Sequence, residues 1–355
     1  MKKIVLTGGG TAGHVTPNLA LLPSLQEAGF LITYMGSYDG IEKRLVEDFG
    51  IPYVGISTGK FRRYLDVKNL TDPFRVIKGY TEARKFLKEY RPDVVFSKGG
   101  FVSVPVVRAA ASLKIPCIIH ESDMTPGLAN KLCFPVAKKI CCNFPETYKM
   151  LPEEKAVLTG TPIRAELAQG NKLAGLEMCG FTANKPVIMV IGGSLGAMNV
   201  NKAVRDALPQ LLEKYQVVHL CGKDKMDNLL LTTPGYKQFE YLKTELKDIF
   251  AMADIVISRA GANAICELLA LRKPNILIPL PASSSRGDQL LNAASFESQG
   301  FSIVLHEDDL TTALLVDKVN ELYESRQKYF DAMEQSGQMD SIPTIMELIQ
   351  KAAGE

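Results

Sequence analysis

Residues 253–293 read ADIVISRAGANAICELLALRKPNILIPLPASSSRGDQLLNA, and they decide the fold. The apolar run Ile255 to Ile257 has the length of a buried strand and leads into Ser258-Arg259-Ala260-Gly261-Ala262-Asn263, a turn of mostly small residues. An apolar helix follows, with one carboxylate, Glu267. A second apolar strand, Ile276 to Leu280, ends in a polar loop that opens another helix at Asp288-Gln289. Strand, small-residue turn, helix is how α/β proteins aim free N–H groups and the positive end of a helix dipole at a phosphate. Gly261 and Asn263 stand at that helix start. Glu267 lies one turn beyond Asn263, where a carboxylate accepts from both hydroxyls of a ribose. Asp288 and Gln289 open the next loop on the carboxyl side of the strands, where open α/β sheets bind ligands. The stretch therefore asks for a nucleotide diphosphate with a polyhydroxylated group beyond it.

The same grammar recurs in both directions. Residues 187–196, VIMVIGGSLG, give a buried strand, a glycine turn and a helix start, and Ser194 is placed to set a hydroxyl beside phosphate oxygens. Strands near 217–220, 237–242, 255–257, 276–280 and 302–305 alternate with helical stretches. At the other end, Lys3 to Thr7 is a strand followed by Gly8-Gly9-Gly10-Thr11-Ala12-Gly13-His14 and a helix through about Ala28. Gly8, Gly10 and Gly13 match the dinucleotide fingerprint, but the second strand, Leu31 to Met35, ends in Gly36-Ser37 without the acid that would hold a ribose. That argues against a dehydrogenase. His14 falls at the mouth of the turn, where an imidazole suits proton transfer or hydroxyl binding near neutral pH.

Strand Val94 to Ser97 runs into Lys98-Gly99-Gly100-Phe101, and strand Cys117 to His120 into Glu121-Ser122-Asp123, with Asn130 in the next helix. His120, Glu121 and Asp123 leave one strand end together, as an acid–base neighbourhood or as a structural polar network. Gly and Pro in Thr159-Gly160-Thr161-Pro162-Ile163-Arg164 mark a linker at about 160. The reading is α/β: a parallel-sheet domain over 1–160, another over 161–340, and an amphipathic segment from Ser341 that packs back on the first.

Composition fits such a chain. With 355 residues, 46% hydrophobic and 23% charged, there is enough for two full cores and no sign of disorder. A net charge of +2 gives no polyelectrolyte character, so nucleic acid is not expected as a partner. Seven cysteines without a CxxC pair point to a reducing compartment and no zinc site. No long apolar run spans a membrane, and the start is too short for a signal peptide, so a cytoplasmic location is expected. Residues 60–91 stand apart: ten Lys/Arg against four Asp/Glu, a local +6, interleaved with Phe61, Tyr64, Leu65, Phe74, Val76 and Ile77. That mix suits a surface resting on anionic lipid.

GGGTAGH at the start, HESD after a strand, GTPIR at the linker, GGSLGA opening the second half, and SRAGANAICE followed by DQ occur in order over nearly the whole chain. Together they resemble the MurG-type family of bacterial glycosyltransferases. The resemblance implies a GT-B fold, two Rossmann-like domains facing across a cleft, with acceptor on the first and donor on the second. It implies inverting transfer of N-acetylglucosamine from UDP-N-acetylglucosamine to undecaprenyl-pyrophosphoryl-N-acetylmuramoyl-pentapeptide at the cytoplasmic face of the cell membrane, with no cofactor or obligatory metal, and cell-wall synthesis proteins as possible partners. It implies donor contacts from Arg164, Ser194, Glu267, Asp288 and Gln289, and acceptor contacts from Thr11, His14, His120, Glu121, Asp123, Asn130 and Asn201. On that division the first glycine turn is left for the acceptor's pyrophosphate, cradled by Gly9, Gly10 and Thr11. His14 is then the first candidate for the base and Glu121 the second. Asp123 and Asp288 depart from the pattern, standing where some members carry Asn and Gln. Rival readings are a glycolipid synthase acting on diacylglycerol, a UDP-sugar 2-epimerase, and a UDP-sugar-binding regulator without chemistry.

Overall fold

A computed structural model describes residues 1–59, 68–192, 197–283, 287–336 and 341–354, with the backbone alone for 68–73. The chain divides into two compact units, Met1–Arg164 with Asp340–Glu355, and Ala165–Met339.

The first unit is built on seven parallel strands: β1 (Lys3–Thr7), β2 (Leu31–Ser37), β3 (Tyr53–Ile56), β4 (Val94–Ser97), β5 (Cys117–Glu121), β6 (Lys139–Cys142) and β7 (Ala156–Leu158). They lie in the order β3-β2-β1-β4-β5-β6-β7. Runs such as IVLT and VVFS are buried along their length because helices cover both faces, which is why they read as continuous apolar stretches. One face packs Leu19, Leu22 and Leu25 against Ile4, Leu6 and Phe96, and there Ile345, Met346, Ile349 and Ala352 of the terminal helix Ser341–Gly354 complete the core. The other face packs Ala83 and Leu87 of the helix Lys68–Tyr90 with Val106, Val107 and Ala110.

The second unit has six parallel strands: β8 (Val187–Ile191), β9 (Gln216–Leu220), β10 (Tyr236–Phe239), β11 (Ile255–Ser258), β12 (Asn275–Leu277) and β13 (Ser302–Val304), in the order β10-β9-β8-β11-β12-β13. In each sheet the order reverses beside the strand that starts it, between β1 and β4 and between β8 and β11. Ligands of open α/β sheets bind at the carboxyl ends of the strands flanking that point.

Several elements are shorter than the sequence suggests, β10 among them, and proline explains two. The strand expected from Ile276 to Leu280 stops at Leu277: the Ile278 amide still donates to the Ser258 carbonyl at 2.8 Å, but Pro279 has no N–H with which to continue. The single helix expected through about Ala28 is two, Thr16–Ala20 and Leu22–Glu27, because Pro23 cannot donate to the Leu19 carbonyl.

Candidate active site

At the switch point of the first unit two glycine turns lie back to back. The turn after β1 needs glycine for space: a Cβ on Gly8 would stand 2.4 Å from the His14 carbonyl oxygen, and one on Gly9 would stand 2.6 Å from the Glu42 carboxyl carbon. The turn after β4 approaches it so closely that a Cβ on Gly100 would meet the Gly9 carbonyl at 2.3 Å and His14 Nδ1 at 3.3 Å. From below, the Tyr34 hydroxyl donates to the Gly8 carbonyl at 2.8 Å, and Asn18 Nδ2 donates to the Thr7 carbonyl at 3.0 Å.

Glu42, completely buried in the first turn of the helix Ile41–Glu47, accepts from the Gly10 amide at 3.1 Å and from the Ser37 amide at 3.0 Å. The cradle expected at Gly9, Gly10 and Thr11 is therefore narrower than its sequence implies. The Gly10 amide already faces the protein's own carboxylate, and an oxygen anion placed there meets like charge. Thr11 is exposed, and its hydroxyl lies 3.1 Å from Nδ1 of the half-buried His14. Burial, helped by the charge of Lys98, lowers the His14 pKa to about 4, against the opposing pull of a hydrogen bond to the Gly9 backbone and of Glu42. At neutral pH the ring is uncharged and able to accept a proton.

The strand end at β5 is less open than its sequence suggests. His120 is fully buried, with Nδ1 2.7 Å from Lys98 Nζ and Nε2 2.8 Å from the Gly160 carbonyl. Burial, then Lys98, drives its pKa well down. The Glu121 carboxylate accepts from the amides of Asp123 and Gly127 at 2.9 and 3.0 Å and from Asn130 Nδ2 at 2.9 Å. Burial raises its pKa, while these donors and Lys98 pull it back. Asn130 Nδ2 also donates to the His120 carbonyl at 3.2 Å. His120, Glu121 and Asn130 thus frame the loop 121–130, and the Glu121 carboxylate is already held by three donors of that loop. Of the acceptor set in this unit, Thr11, His14 and Asp123 keep access to solvent.

In the second unit, β11 ends in a turn clamped by buried side chains. The Arg259 guanidinium donates to the carbonyls of Ile278 and Pro279 at 3.0 and 3.3 Å and pairs with Glu307. Asn292 Nδ2 donates to the Ala260 carbonyl at 3.0 Å. The clamp aims the helix Ala262–Ala270, whose N-cap, Gly261, supplies no side-chain hydrogen bond to the first amides. Asn263 and Glu267 are half-buried on that helix. Asp288 opens the helix Asp288–Ser298 after Gly287, and Gln289 Oε1 accepts from the Leu280 amide at 3.1 Å. Ser194 lies outside the described residues, and Arg164 is half-buried at the end of the first unit. Asn201, expected with the acceptor set, is buried within the second unit: Oδ1 lies 3.0 Å from His219 Nε2, and Nδ2 donates to the Cys221 carbonyl at 2.9 Å. It is a packing group of the β8–β9 region.

Sequence reasoning missed Glu42, Lys98 and the clamping role of Arg259. A signal existed for Lys98, a lysine directly after the apolar strand VVFS and before Gly-Gly. Glu42 gave none, since its partner Gly10 is 32 residues away.

Two separate parallel sheets, each with a turn at its switch point and an uncapped helix start on the second, define the GT-B class of nucleotide-sugar enzymes. Residues 4–142 match the glycosyltransferase family 28 N-terminal domain, and residues 187–349 match its C-terminal domain. The chain belongs to glycosyltransferase family 28. It is 65% identical over 98% of its length to a relative from Lachnospira eligens, of which it covers 99%, named UDP-N-acetylglucosamine--N-acetylmuramyl-(pentapeptide) pyrophosphoryl-undecaprenol N-acetylglucosamine transferase. A relative of the same name from Lachnoclostridium phytofermentans is 63% identical, with 99% of each chain covered. Among solved structures, Acinetobacter baumannii MurG superposes with a TM-score of 0.80 at 27% identity, covering 99% of this chain and 100% of that one. The UDP-GlcNAc 2-epimerase of Neisseria meningitidis shares the fold, with a TM-score of 0.67 at 14% identity over 99% of this chain and 100% of that one.

Proposed function

We infer that this chain transfers N-acetylglucosamine, with inversion, from UDP-N-acetylglucosamine to undecaprenyl-pyrophosphoryl-N-acetylmuramoyl-pentapeptide. The observation that carries the reading is 65% identity along the full length to a relative named for that reaction. The local geometry agrees with it. UDP lies with its phosphates at the amides of Ala262–Ala264 and its ribose on Glu267, while the half-buried Asp288 faces the sugar hydroxyls. In a single displacement the acceptor hydroxyl oxygen bonds to the anomeric carbon, and the bond from that carbon to the phosphate oxygen breaks. The electron pair leaves with UDP, and the hydroxyl proton passes to His14. The charge growing on UDP is stabilised by the helix N-terminus, Arg164 and Ser194, so the mechanism calls for no metal. His14 is preferred to Glu121 as base because its ring is neutral and solvent-reachable, whereas Glu121 is held by three donors within its own loop.

No helix among the described residues is long and apolar enough to cross a membrane. We place the enzyme peripherally at the cytoplasmic face, resting on residues 60–91. Much of that stretch lies outside the described residues or has only its backbone described, but Phe74 and Ile77, 74% and 62% exposed, stand beside the exposed Arg75 and Lys78. Liposome cosedimentation that rises with anionic lipid and falls with salt is the expected behaviour; indifference to both removes the membrane from the reading. The central test crosses UDP-sugars with lipid-pyrophosphate and diacylglycerol acceptors and measures UDP release. Release with UDP-N-acetylglucosamine and the pyrophosphoryl acceptor alone is expected. Release on diacylglycerol, or epimerised sugar without any acceptor, overturns it.

A further inference from the structure

Each unit carries, in its sequence, a glycine turn after the first strand of its sheet, while the reaction inferred above needs one nucleotide, on the second unit. An α/β unit of this kind takes a diphosphate on the amides of the glycine turn and a ribose on an acid at the end of its second strand. In the first unit the space between those two places is taken. The fully buried Glu42 carboxylate accepts from the Gly10 amide at 3.1 Å and from the Ser37 amide, at the end of β2, at 3.0 Å, and the Ser37 hydroxyl donates to it as well. One side chain thus holds both a donor of the turn and the strand end where a ribose acid would stand.

The fold clears room for that carboxylate. A Cβ on Gly9 would stand 2.6 Å from the Glu42 carboxyl carbon, one on Gly36 would stand 2.8 Å from its Cγ, and one on Gly40 would overlap both carboxylate oxygens. Glycine is therefore required at three positions by Glu42 itself, whereas a Cβ on Gly10 would meet nothing within 4 Å. The Tyr53 hydroxyl donates to the Ser37 carbonyl at 2.5 Å and so fixes the strand end that Glu42 holds. A buried carboxylate is costly unless donors satisfy it, and the two amides and the hydroxyl do so. A second anion on the Gly10 amide would have to displace a charge-assisted hydrogen bond and stand beside a like charge in a poorly solvated place.

We propose that Glu42 is a specificity-determining residue, whose carboxylate fills the diphosphate position of the first glycine turn and keeps a nucleotide off the first unit. That UDP then has one place per chain rests on the reading of the second unit as the donor side; the blocking itself rests on the first unit alone. The full chain, isotopically labelled at glycine nitrogen, reports both places in one NMR spectrum. The Gly10 signal is the one lost in Gly10→Asn, since Asn tolerates the φ of 84° there. The Gly261 signal is the one lost in Gly261→Ala, at a φ of −68° that suits alanine. Inorganic pyrophosphate is the probe for Gly10 and UDP the probe for Gly261. In the wild type the Gly10 signal should stay still as pyrophosphate is added. In Glu42→Ala it should move and saturate, at a concentration lower by at least about tenfold than any response of the wild type. Thermal unfolding and the unchanged signals of distant glycines report that the variant is folded. If Glu42→Ala does not fold, Glu42→Ser, which leaves nearly the same room and keeps a hydroxyl for the Ser37 amide, is read by the same criteria. A wild-type Gly10 signal that moves at the same pyrophosphate concentration as the variant's overturns the proposal, as does a folded variant whose Gly10 signal stays still. A Gly261 signal indifferent to UDP breaks the donor reading and leaves the result at Gly10 standing.

Discussion

At the scale of single residues, Glu267 carries the donor reading. Its place one turn beyond Asn263 was legible because a helix fixes that spacing, and both lie on the helix Ala262–Ala270. Glu267→Ala should lower UDP affinity by about 2–3 kcal/mol, the loss of charge-assisted bonds to the ribose hydroxyls. Calorimetry with UDP measures it, and an unchanged affinity removes Glu267 from the nucleotide site. The place of His14 at the mouth of a glycine turn was legible from the run of glycines before it. His14→Ala should cut turnover by roughly two to four orders of magnitude and leave UDP binding in place, since no donor group is lost. Loss of UDP binding instead would break the division of labour between the units. The buried state of His120, Glu121 and Asn130 was not legible. HESD announces polar groups at a strand end, but only the fold says whether they face outward or, as here, close on Lys98 and the loop 121–130. Glu42 and Arg259 were hidden for a related reason: their partners are distant in sequence, at Gly10 and at Ile278 and Pro279.

At the scale of elements, strands and turns could be read almost directly, because buried parallel strands are unbroken β-branched runs punctuated by glycine. Two of the errors fell where proline removes one N–H, at Pro23 and Pro279, since apolar periodicity does not register a missing donor. The amphipathic terminal stretch could be read as a helix, and its docking surface is the core of the first unit. Ile349 is fully buried there, beside Ile345 and Met346. Ile349→Ala should therefore destabilise the first unit by about 2–5 kcal/mol, the transfer and cavity terms together. Because the second unit has its own sheet, the loss should appear as an earlier unfolding transition of the first unit with UDP affinity unchanged. Equal weakening of both transitions would mean that the helix does not belong to the first core alone.

At the scale of the whole molecule, three histidines carry folded pKa values below the ordinary 6.5, one of them, His219, in the second unit. His219 is fully buried between Tyr236 and Asn201, with Nδ1 2.9 Å from the Tyr236 hydroxyl. Burial, and secondarily Arg205, lowers its pKa to about 3. The folded second unit therefore takes up this proton far less readily than the unfolded chain does. Wherever the unfolded state binds more protons, stability rises with pH, so the contribution of His219 is complete above 6.5 and is lost as pH falls toward 3. Between pH 7.5 and pH 5 the loss amounts to about 2 kcal/mol. In the first unit His14 and His120 act in the same direction, while Glu121, whose pKa is raised, acts oppositely: its contribution is present at low pH and lost as pH rises through its folded value. The second unit is the cleaner place to look. Its urea midpoint, followed through release of bound UDP, should fall between pH 7.5 and pH 5, and the fall should be absent in a folded His219→Gln variant. A second-unit midpoint that holds steady across that interval in the wild type would show that His219 can be charged inside the fold, contrary to the burial from which its lowered pKa arises.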